Sequence, residues 1–147
     1  MTSATVSPLD VIKESRVIAV VGASANPQKD AHTIPAFLKE KGYRIVPINP
    51  SAGEILGERA FPSLESLPEE VAREVDVVEV FRPSAELPQV ARQVIDLSKR
   101  QGRRYVFWSQ SGLESDEAKL MLGANGIPFV MDACMRVVYG IVNGKTG

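Results

Sequence analysis

The chain has 147 residues, 44% of them hydrophobic and 24% charged, which is the balance of an ordinary folded domain rather than of a disordered segment. Its formal net charge of −1 argues against a dedicated nucleic-acid binder, and its single cysteine, Cys134, excludes an internal disulfide. One histidine and one cysteine are too few soft ligands for a zinc site, so we predict no metal. No apolar run approaches the roughly 20 residues that span a bilayer, and the N-terminus lacks the pattern of a signal peptide. We therefore expect a cytoplasmic protein with neither a nucleic-acid nor a membrane partner.

Strand-like and helical segments alternate along the chain. Proline is tolerated in a helix only in its first turn, so Pro35 places the start of the second helix near Thr33. In chain order, the pattern predicts a helix over 8–15, a strand over 16–21, a helix over 33–42, a strand over 43–49, a short strand around Arg59–Phe61, a strand over 76–81, a helix over 84–102, a strand over 104–109, a helix over 114–126 and a strand over 127–131.

This alternation, with strands that are apolar on both faces, indicates a parallel sheet with helices on both sides. We predict a single α/β domain over residues 1–147, doubly wound and Rossmann-like, with three layers and a core over about 16–135. Ligands of such folds bind beyond the carboxyl ends of the strands. The segments that follow each strand are therefore the candidates for function.

The first of these segments, Gly22–Lys29, has features of a phosphate-binding loop. A glycine after a strand permits a sharp turn, and the amides at the N-terminus of the following helix attract an anion. A dinucleotide fingerprint requires three glycines close together and a P-loop requires Gly-Lys-Ser/Thr, whereas Gly22 stands alone and Asp30 follows Lys29. A phosphate loop of another type and a plain strand-to-helix connection both stay open.

The second main strand is followed by Asn49 and Pro50, where NAD-binding domains place an acidic residue for the ribose hydroxyls. An uncharged pair at this position tolerates a phosphate on the ribose, which favours a phosphorylated adenosine such as that of NADP or coenzyme A (CoA). Asn-Pro is also a common turn starter, so a structural role is an equal alternative.

The third main strand ends with Phe81 and Arg82. An arginine can clamp a phosphate through two parallel hydrogen bonds, and Phe81 could pack against an adenine or an aliphatic arm. The alternative is a surface arginine that pairs with Glu79 or Glu86.

The last two strands are followed by Gln110–Gly112 and by Cys134. Gln110 and Gly112 lie where a ligand could be capped, but Ser111 lacks the first glycine of a nucleophile elbow. Cys134 is either a small buried apolar residue or a thiol beside the reactive end of a ligand. The only histidine, His32, would have to act as the base for either side chain, so we predict no catalytic residue.

Six segments of the sequence, taken in order, carry a resemblance to a known family. They are VIAVVGAS-NP (17–27), GYRIVPINP (42–50), ILGERAFPSLESLP (55–68), VDVVEVFRPS (75–84), VFWSQSG (106–112) and GIPFVMDACM (126–135). The sequence resembles the small single-domain CoA-binding proteins, whose domain is related to the N-terminal part of the succinyl-CoA synthetase alpha subunit and of ADP-forming acyl-CoA synthetases. The ordered set covers most of the chain.

The resemblance implies a Rossmann-type domain that binds CoA, with contacts from each strand end. For the polar end of CoA, the resemblance implies that the phosphates contact Gly22, Ala23, Ser24 and Lys29, and that the ribose phosphate and adenine contact Asn49 and Pro50. For the rest of the cofactor, it implies that Phe81 and Arg82 contact the middle and that Gln110 and Gly112 contact the pantetheine arm. It also implies that Cys134 approaches the CoA thiol.

We therefore expect a non-catalytic module that binds CoA or an acyl-CoA as a carrier, a sensor or a subunit with a protein partner. The related ligases have a further domain with a phosphorylated histidine and a nucleotide-grasp module, which this sequence lacks, so we expect no intrinsic catalysis. Three alternatives stay open: an NADP-dependent enzyme, thiol–disulfide or acyl chemistry between Cys134 and CoA, and a degenerate domain used for protein contacts.

Overall fold

A computed structural model describes residues 6–144, so the predicted bounds of 1–147 extend beyond the described residues on both sides. The strands are β1 (Val17–Val21), β2 (Arg44–Ile48), β3 (Glu54–Ile55), β4 (Glu58–Arg59), β5 (Val77–Val80), β6 (Val106–Ser109) and β7 (Phe129–Val130). The helices are α1 (Pro8–Glu14), α2 (Asp30–Glu40), α3 (Glu69–Ala72), α4 (Leu87–Gln101), α5 (Asp116–Ala124) and α6 (Met135–Val142), and a 3-10 turn (Ser84–Glu86) leads into α4. This order confirms the predicted α/β class.

Five strands form one parallel sheet in the order β2–β1–β5–β6–β7, and β3 and β4 form a separate antiparallel hairpin. The central strand β5 pairs with β1 on one side and with β6 on the other, with Val80 opposite both Val21 and Ser109. The chain runs from β1 outward to β2, returns past β1 to β5, and then continues outward to β7. The strand order therefore reverses between β1 and β5, where a doubly wound sheet leaves a crevice beyond its carboxyl edge.

Helices cover both faces of the sheet, as strands that are apolar on both faces require. On one face, Val78 belongs to a buried cluster that includes Val94 of α4. On the other face, Ile18 belongs to a second buried cluster that includes Leu38 of α2 and Met135 of α6. The result is a single Rossmann-like domain with three layers, which confirms the predicted fold.

Helix α2 begins at Asp30, earlier than the predicted start near Thr33, so this prediction was wrong. Pro35 lies inside the helix, where it lacks the N–H that would bond the Ala31 carbonyl one turn earlier. That carbonyl instead accepts the Ser24 N–H at 3.2 Å. The proline therefore removes one helical hydrogen bond, and the freed carbonyl anchors the loop that precedes the helix.

Helix α6 is absent from the sequence prediction because its segment, MRVVYGIV, is rich in β-branched residues that favour strands. In the structure, Met135 and Val138 of α6 are buried, whereas Val137 and Ile141 are each 60% exposed. Burial of one helical face outweighs the local preference for a strand. The helix also fixes the place of Cys134, which is its N-cap residue.

The segment after β2 is held at the edge of the sheet by Phe61. The predicted short strand around Arg59–Phe61 lies slightly earlier, at Glu58–Arg59, and Phe61 makes one isolated parallel bridge with Ile48. The Phe61 N–H donates to the Pro47 carbonyl and the Phe61 carbonyl accepts the Asn49 N–H, both at 2.9 Å. These two bonds position Asn49 beside the end of β1.

Candidate functional site

A cleft opens beyond the carboxyl ends of β1, β2 and β5, at the crevice that the strand order creates. It has a volume of about 530 Å³, and residues at the start of α2 and along α4 contribute to its walls. Its lining includes these predicted site residues: Gly22, Ala23, Ser24, Lys29, Asn49, Pro50, Phe81 and Arg82. Because they come from three separate strand ends, the strand order brings them together.

Position 22, directly after β1, requires a glycine because of its backbone conformation and because a side chain there has no room. Its φ of 87° lies in the left-handed region that favours glycine. A Cβ at this position would lie 3.0 Å from the Arg82 Cδ and 3.1 Å from the Phe81 carbonyl oxygen. The glycine therefore lets the ends of β1 and β5 approach each other beside the cleft.

The backbone amides of the loop after β1 are partly used inside the protein. The Gly22 N–H donates to the Ile48 carbonyl at 3.1 Å, and the Ser24 N–H donates to the Ala31 carbonyl at 3.2 Å. These two amides are therefore not free to bind a phosphate. The Ser24 hydroxyl accepts the Asn26 N–H at 3.0 Å and keeps its own proton for donation to a ligand.

The N-terminus of α2 adjoins the cleft and supplies further donors. The first amides of a helix have no helical partner and carry the positive end of its dipole. Lys29 is the N-cap residue, and its exposed side chain makes no capping hydrogen bond within the described residues. His32 Nδ1 lies 2.8 Å from the Ser24 carbonyl oxygen, and because a carbonyl only accepts, this nitrogen carries the proton. The histidine therefore ties the loop to the helix.

Asn49 has a structural role that its sequence position only partly predicts. Its Nδ2 donates to the Ala23 carbonyl at 2.8 Å, and its Oδ1 accepts the N–H groups of Ser51 and Ala52 at 2.7 and 3.1 Å. The second pair of bonds is the turn that Asn-Pro commonly starts, and the first joins the ends of β1 and β2. An aspartate could not make the Ala23 bond, because a carboxylate has no donor. This bond therefore explains why an uncharged amide occupies position 49 without reference to any ligand.

Arg82 lies beside the cleft and is paired with Glu86, as one of the sequence interpretations expects. Its Nε and Nη2 donate to the two carboxylate oxygens of Glu86 at 3.0 and 3.1 Å. The two side chains are 45% and 42% exposed, so water and salt weaken their attraction to about 1 kcal/mol or less. An incoming phosphate can therefore displace Glu86 at small cost.

Gln110, Gly112 and Cys134 lie at the same edge of the sheet but are not among the residues that line the cleft. Gln110 is only 4% exposed, and its Nε2 donates to the Glu79 carboxyl. The Gly112 N–H donates to Asp132 Oδ1 at 2.6 Å, which joins the segments after β6 and β7. Cys134 is half-buried at the start of α6. Contact of these three residues with a ligand stays a prediction.

Glu79 is the unusual group that the sequence pattern leaves out of the predicted site. It lies in β5 with no exposed surface and pairs with Gln110 rather than with Arg82. Burial raises the pKa of its carboxyl from 4.5 to about 8, against a smaller lowering by the Gln110 hydrogen bond. The available signal was an acid inside the apolar strand VVEV, where glutamate is rarely placed without a partner.

A second cavity, of about 590 Å³, lies at the opposite, amino-terminal edge of the sheet. Its lining includes Lys13, Arg16 and Lys41. Lys13 lies in the last turn of α1 and Lys41 is the C-cap of α2, where cations offset the negative ends of helices. These lysines therefore have a structural explanation, and the cleft at the carboxyl edge stays the candidate functional site.

Two classes of site have no support in the described part of the chain. Among residues 6–144, no group of three or more His, Cys, Asp or Glu side chains could hold a metal ion. Within the same range, every helix is too short or too polar to cross a membrane.

The protein is therefore a single Rossmann-like domain with a cleft at the carboxyl edge of its sheet. A family model described as "CoA binding domain" matches residues 16–140, and the chain belongs to this family. This match confirms the resemblance that the six sequence segments carry.

Comparisons with known proteins agree with this family. The chain is 36% identical over 132 residues to "Uncharacterized protein YneT" of Bacillus subtilis, which covers 90% of this chain and 91% of YneT. It is 35% identical over 88 residues to the alpha subunit of ADP-forming acetate–CoA ligase I of Pyrococcus furiosus, which covers 58% of this chain but only 19% of that subunit. The structure of cell-free ID.343 from Thermus thermophilus superimposes with a TM-score of 0.79 at 35% identity, over 93% of this chain and 99% of that one.

Proposed function

We propose that this protein binds CoA, free or acylated, in the cleft, as a non-catalytic module that serves as a carrier or a sensor in the cytoplasm. The observation that carries the proposal is the cleft, which combines the N-terminus of α2, Lys29 and Arg82 with apolar walls at the reversal of strand order. Membership of the CoA-binding family supports this ligand. The single free cysteine, Cys134, supports a reducing compartment.

The polar side of the cleft fits the phosphates of CoA. CoA carries a pyrophosphate and a further phosphate on its ribose, so its recognition requires several donors and cations. The first amides of α2 and the Ser24 hydroxyl supply donors, and Lys29 and Arg82 supply positive charge. The Arg82 guanidinium can bind a phosphate through two hydrogen bonds once Glu86 is displaced.

The apolar side of the cleft fits the adenine ring and the pantetheine arm. Val21, Ile48 and Val90 line it, together with Pro50 and the half-buried Phe81. Cofactor sites commonly combine such apolar walls with a few polar groups that fix orientation. The cleft therefore contains both kinds of surface that CoA requires.

The end of β2 favours a ribose that carries a phosphate. A carboxylate at this position would bind ribose hydroxyls and repel a phosphate. Asn49 has no charge, and its side-chain bonds to the backbone are already satisfied. Glu86 is the only carboxylate among the described residues that line the cleft, and Arg82 neutralises it. These features favour CoA or NADP over NAD.

The lining of the cleft supports recognition rather than catalysis. Among the described residues, this lining includes neither histidine nor cysteine, the residues that most often act as general base and as activated nucleophile. The matched ligase subunit is about five times longer than the region that this chain covers, since the match spans 19% of it. Ligase chemistry would therefore require groups that the cleft of this chain does not contain.

Isothermal titration calorimetry with CoA, dephospho-CoA, NADP and NAD tests the proposal. We expect CoA to bind most tightly and dephospho-CoA to bind about tenfold more weakly, because it lacks one charge-assisted phosphate contact. NAD should bind most weakly. Absent CoA binding, or equal affinity for CoA and NAD, would contradict the proposal. NADP binding tighter than CoA binding would favour an NADP-dependent enzyme.

A further inference from the structure

Glu79 and Gln110 form an isolated polar pair beneath the carboxyl edge of the sheet. Glu79 has no exposed surface and Gln110 is 4% exposed. Glu79 lies opposite Trp108 of β6, and Gln110 follows β6, so the pair joins two neighbouring strands. By strand alternation Glu79 lies on the same face as Val77, whose buried cluster includes Met135 of α6. The pair is therefore enclosed by apolar surroundings.

The hydrogen bonds of this pair are incomplete if Glu79 is ionised. Gln110 Nε2 donates to Glu79 Oε2. The other two oxygens, Glu79 Oε1 and Gln110 Oε1, are buried and have no hydrogen-bond partner within residues 6–144. A carboxylate oxygen and an amide oxygen are both acceptors, so neither can satisfy the other. A single proton on Glu79 Oε1 would turn this oxygen from an acceptor without a donor into a donor, and the unpartnered Gln110 Oε1 is an acceptor in the same pair.

The charges around the pair do not favour an ionised Glu79. The covering helices carry His32 and Asp30 at the start of α2, and Cys134 and Arg136 at the start of α6. His32 Nδ1 bonds the Ser24 carbonyl, and the exposed Arg136 guanidinium lies 5.2 Å from the centre of the Phe37 ring. Within the described chain, Glu79 has no ion-pair partner.

Burial therefore dominates the titration of this carboxyl. It raises the pKa of Glu79 to about 8, and the Gln110 hydrogen bond lowers it by less. The acid would then hold its proton at neutral pH and lose it under mildly alkaline conditions. The direction agrees with the proton that the two unpartnered oxygens require.

We propose that Glu79 is a neutral acid at neutral pH, that it forms a two-bond clasp with Gln110 between β5 and β6, and that ligand binding in the cleft is linked to this proton. The last part rests on the proposed CoA binding. The acid's O–H donates to Gln110 Oε1 and the amide donates back to Glu79 Oε2. No other group is required.

The clasp affects the cleft through the ends of β5 and β6. Phe81 and Arg82 directly follow β5, close to Glu79 in the chain, and the Gln110 N–H donates to the Val80 carbonyl at 3.3 Å. Loss of the proton removes one bond of the clasp and adds a buried negative charge near an anionic ligand. A bound anion raises the pKa of a neighbouring acid, so by linkage the ligand binds the protonated protein more tightly.

Carbon NMR of protein with isotopically labelled glutamate side chains tests the clasp without any ligand. The Glu79 carboxyl signal is assigned as the one that is lost in Glu79→Gln, a variant whose amide can form the same two bonds with Gln110. We expect this signal to stay in its protonated position at neutral pH and to shift only near pH 8. A midpoint in the usual range of glutamate, about pH 4.3, would overturn the clasp.

Calorimetry with CoA at about pH 6.5 and about pH 9 tests the linkage, with Glu79→Gln as the matched control because it cannot ionise. The control also removes the contribution of CoA's own titrating groups. We expect the affinity of the wild type to fall about fivefold more than that of the variant between these two pH values, for a ligand-induced rise of about one unit in the pKa of Glu79 from about 8. Equal changes in CoA affinity for the wild type and Glu79→Gln would overturn the linkage. Failure of both proteins to bind CoA would overturn the proposed function and with it the linkage, while the NMR titration would still decide the clasp.

Discussion

The carboxyl edge of the sheet has an open half and a closed half. In the open half, beyond β1, β2 and β5, Lys29 and Arg82 line a cleft. In the closed half, beyond β6 and β7, the polar groups bond one another: Gln110 with Glu79, and Gly112 with Asp132. The strand order explains the difference, because it reverses only between β1 and β5. A residue that follows a parallel strand is therefore a strong binding candidate only when its strand borders the cleft at the reversal, as β1, β2 and β5 do.

The closed half gives the largest expected effect, a loss of stability with rising pH. The pKa of Glu79 rises from 4.5 in the unfolded chain to about 8 in the fold, because the carboxyl is buried. Below about pH 4.5 both the folded and the unfolded state hold the proton, and the favourable contribution of Glu79 to the free energy of unfolding is fully present. Between these two values only the folded state holds it, so the free energy of unfolding falls by up to about 1.4 kcal/mol per pH unit.

Urea unfolding of the wild type and of Glu79→Gln over this pH range measures the effect. We expect the wild type to lose stability relative to the variant as the pH rises to about 8, and no further relative change above it. Parallel pH profiles of the two proteins would mean that Glu79 is ionised in the fold, and the closed half would then contain an unpaired buried charge.

The open half depends on the close approach of β1 and β5 at Gly22. Gly22→Ala should cost about 1–3 kcal/mol of stability, because alanine is strained at this positive φ and its Cβ meets the backbone of Phe81, just after β5. Gly53→Ala is the control, since a Cβ there meets nothing within 4 Å and its φ lies outside the positive range. Thermal unfolding of both variants provides the measurement. Equal stability would contradict the tight packing at the floor of the open half.

Arg82→Ala should weaken CoA binding about tenfold with little change in stability, because it removes one charge-assisted phosphate contact. Arg104→Ala, an exposed arginine just before β6, is the control and should bind CoA like the wild type. Calorimetry measures both affinities. If the two substitutions weaken binding equally, Arg82 contributes only through overall charge.

Glu86→Gln should tighten CoA binding by a few-fold, up to about fivefold, because the exposed ion pair that holds Arg82 is worth at most about 1 kcal/mol. Glu117→Gln, which removes an exposed acid from α5, controls for the change in net charge. The same titration provides the measurement. Weaker binding after Glu86→Gln would mean that Glu86 positions Arg82 for the ligand rather than competing with it.

Cys134 gives the smallest expected effect, since it lies outside the lining of the cleft. Cys134→Ser should change CoA affinity by less than about twofold, within the scatter of surface substitutions. Intact mass spectrometry after incubation with CoA disulfide checks the thiol directly, and we expect no CoA adduct on the folded protein. An adduct at Cys134 would extend the ligand site into the closed half and support thiol chemistry.

Periodicity and turn residues predicted the sheet, most helices and the residues of the open half. They did so because buried strands leave continuous apolar runs and because the ends of parallel strands meet at one edge. The start of α2 was misplaced because Pro35 is accommodated inside the helix while the Ala31 carbonyl takes a partner from the loop. Helix α6 was missed because tertiary burial overrides its β-branched sequence.

The closed half was the least predictable part of the candidate site. Its residues follow strands just as those of the open half do, and only the strand order separates the two groups. The pairing of Glu79 with Gln110 depends on the alignment of β5 and β6, which local sequence does not encode. Of the two acidic partners that the sequence suggested for Arg82, Glu86, four residues later in the chain, was confirmed and Glu79 was wrong.

Two-dimensional NMR of the labelled protein during a CoA titration tests the location of the site. If CoA binds in the open half, the largest amide shifts will come from Ala23, Asp30, Ala31 and Arg82, and the amides of Lys13 and Lys41 at the opposite cavity will not move. Largest shifts at Lys13 and Lys41, or no saturable shift at any amide, would contradict CoA binding in the cleft between β1 and β5.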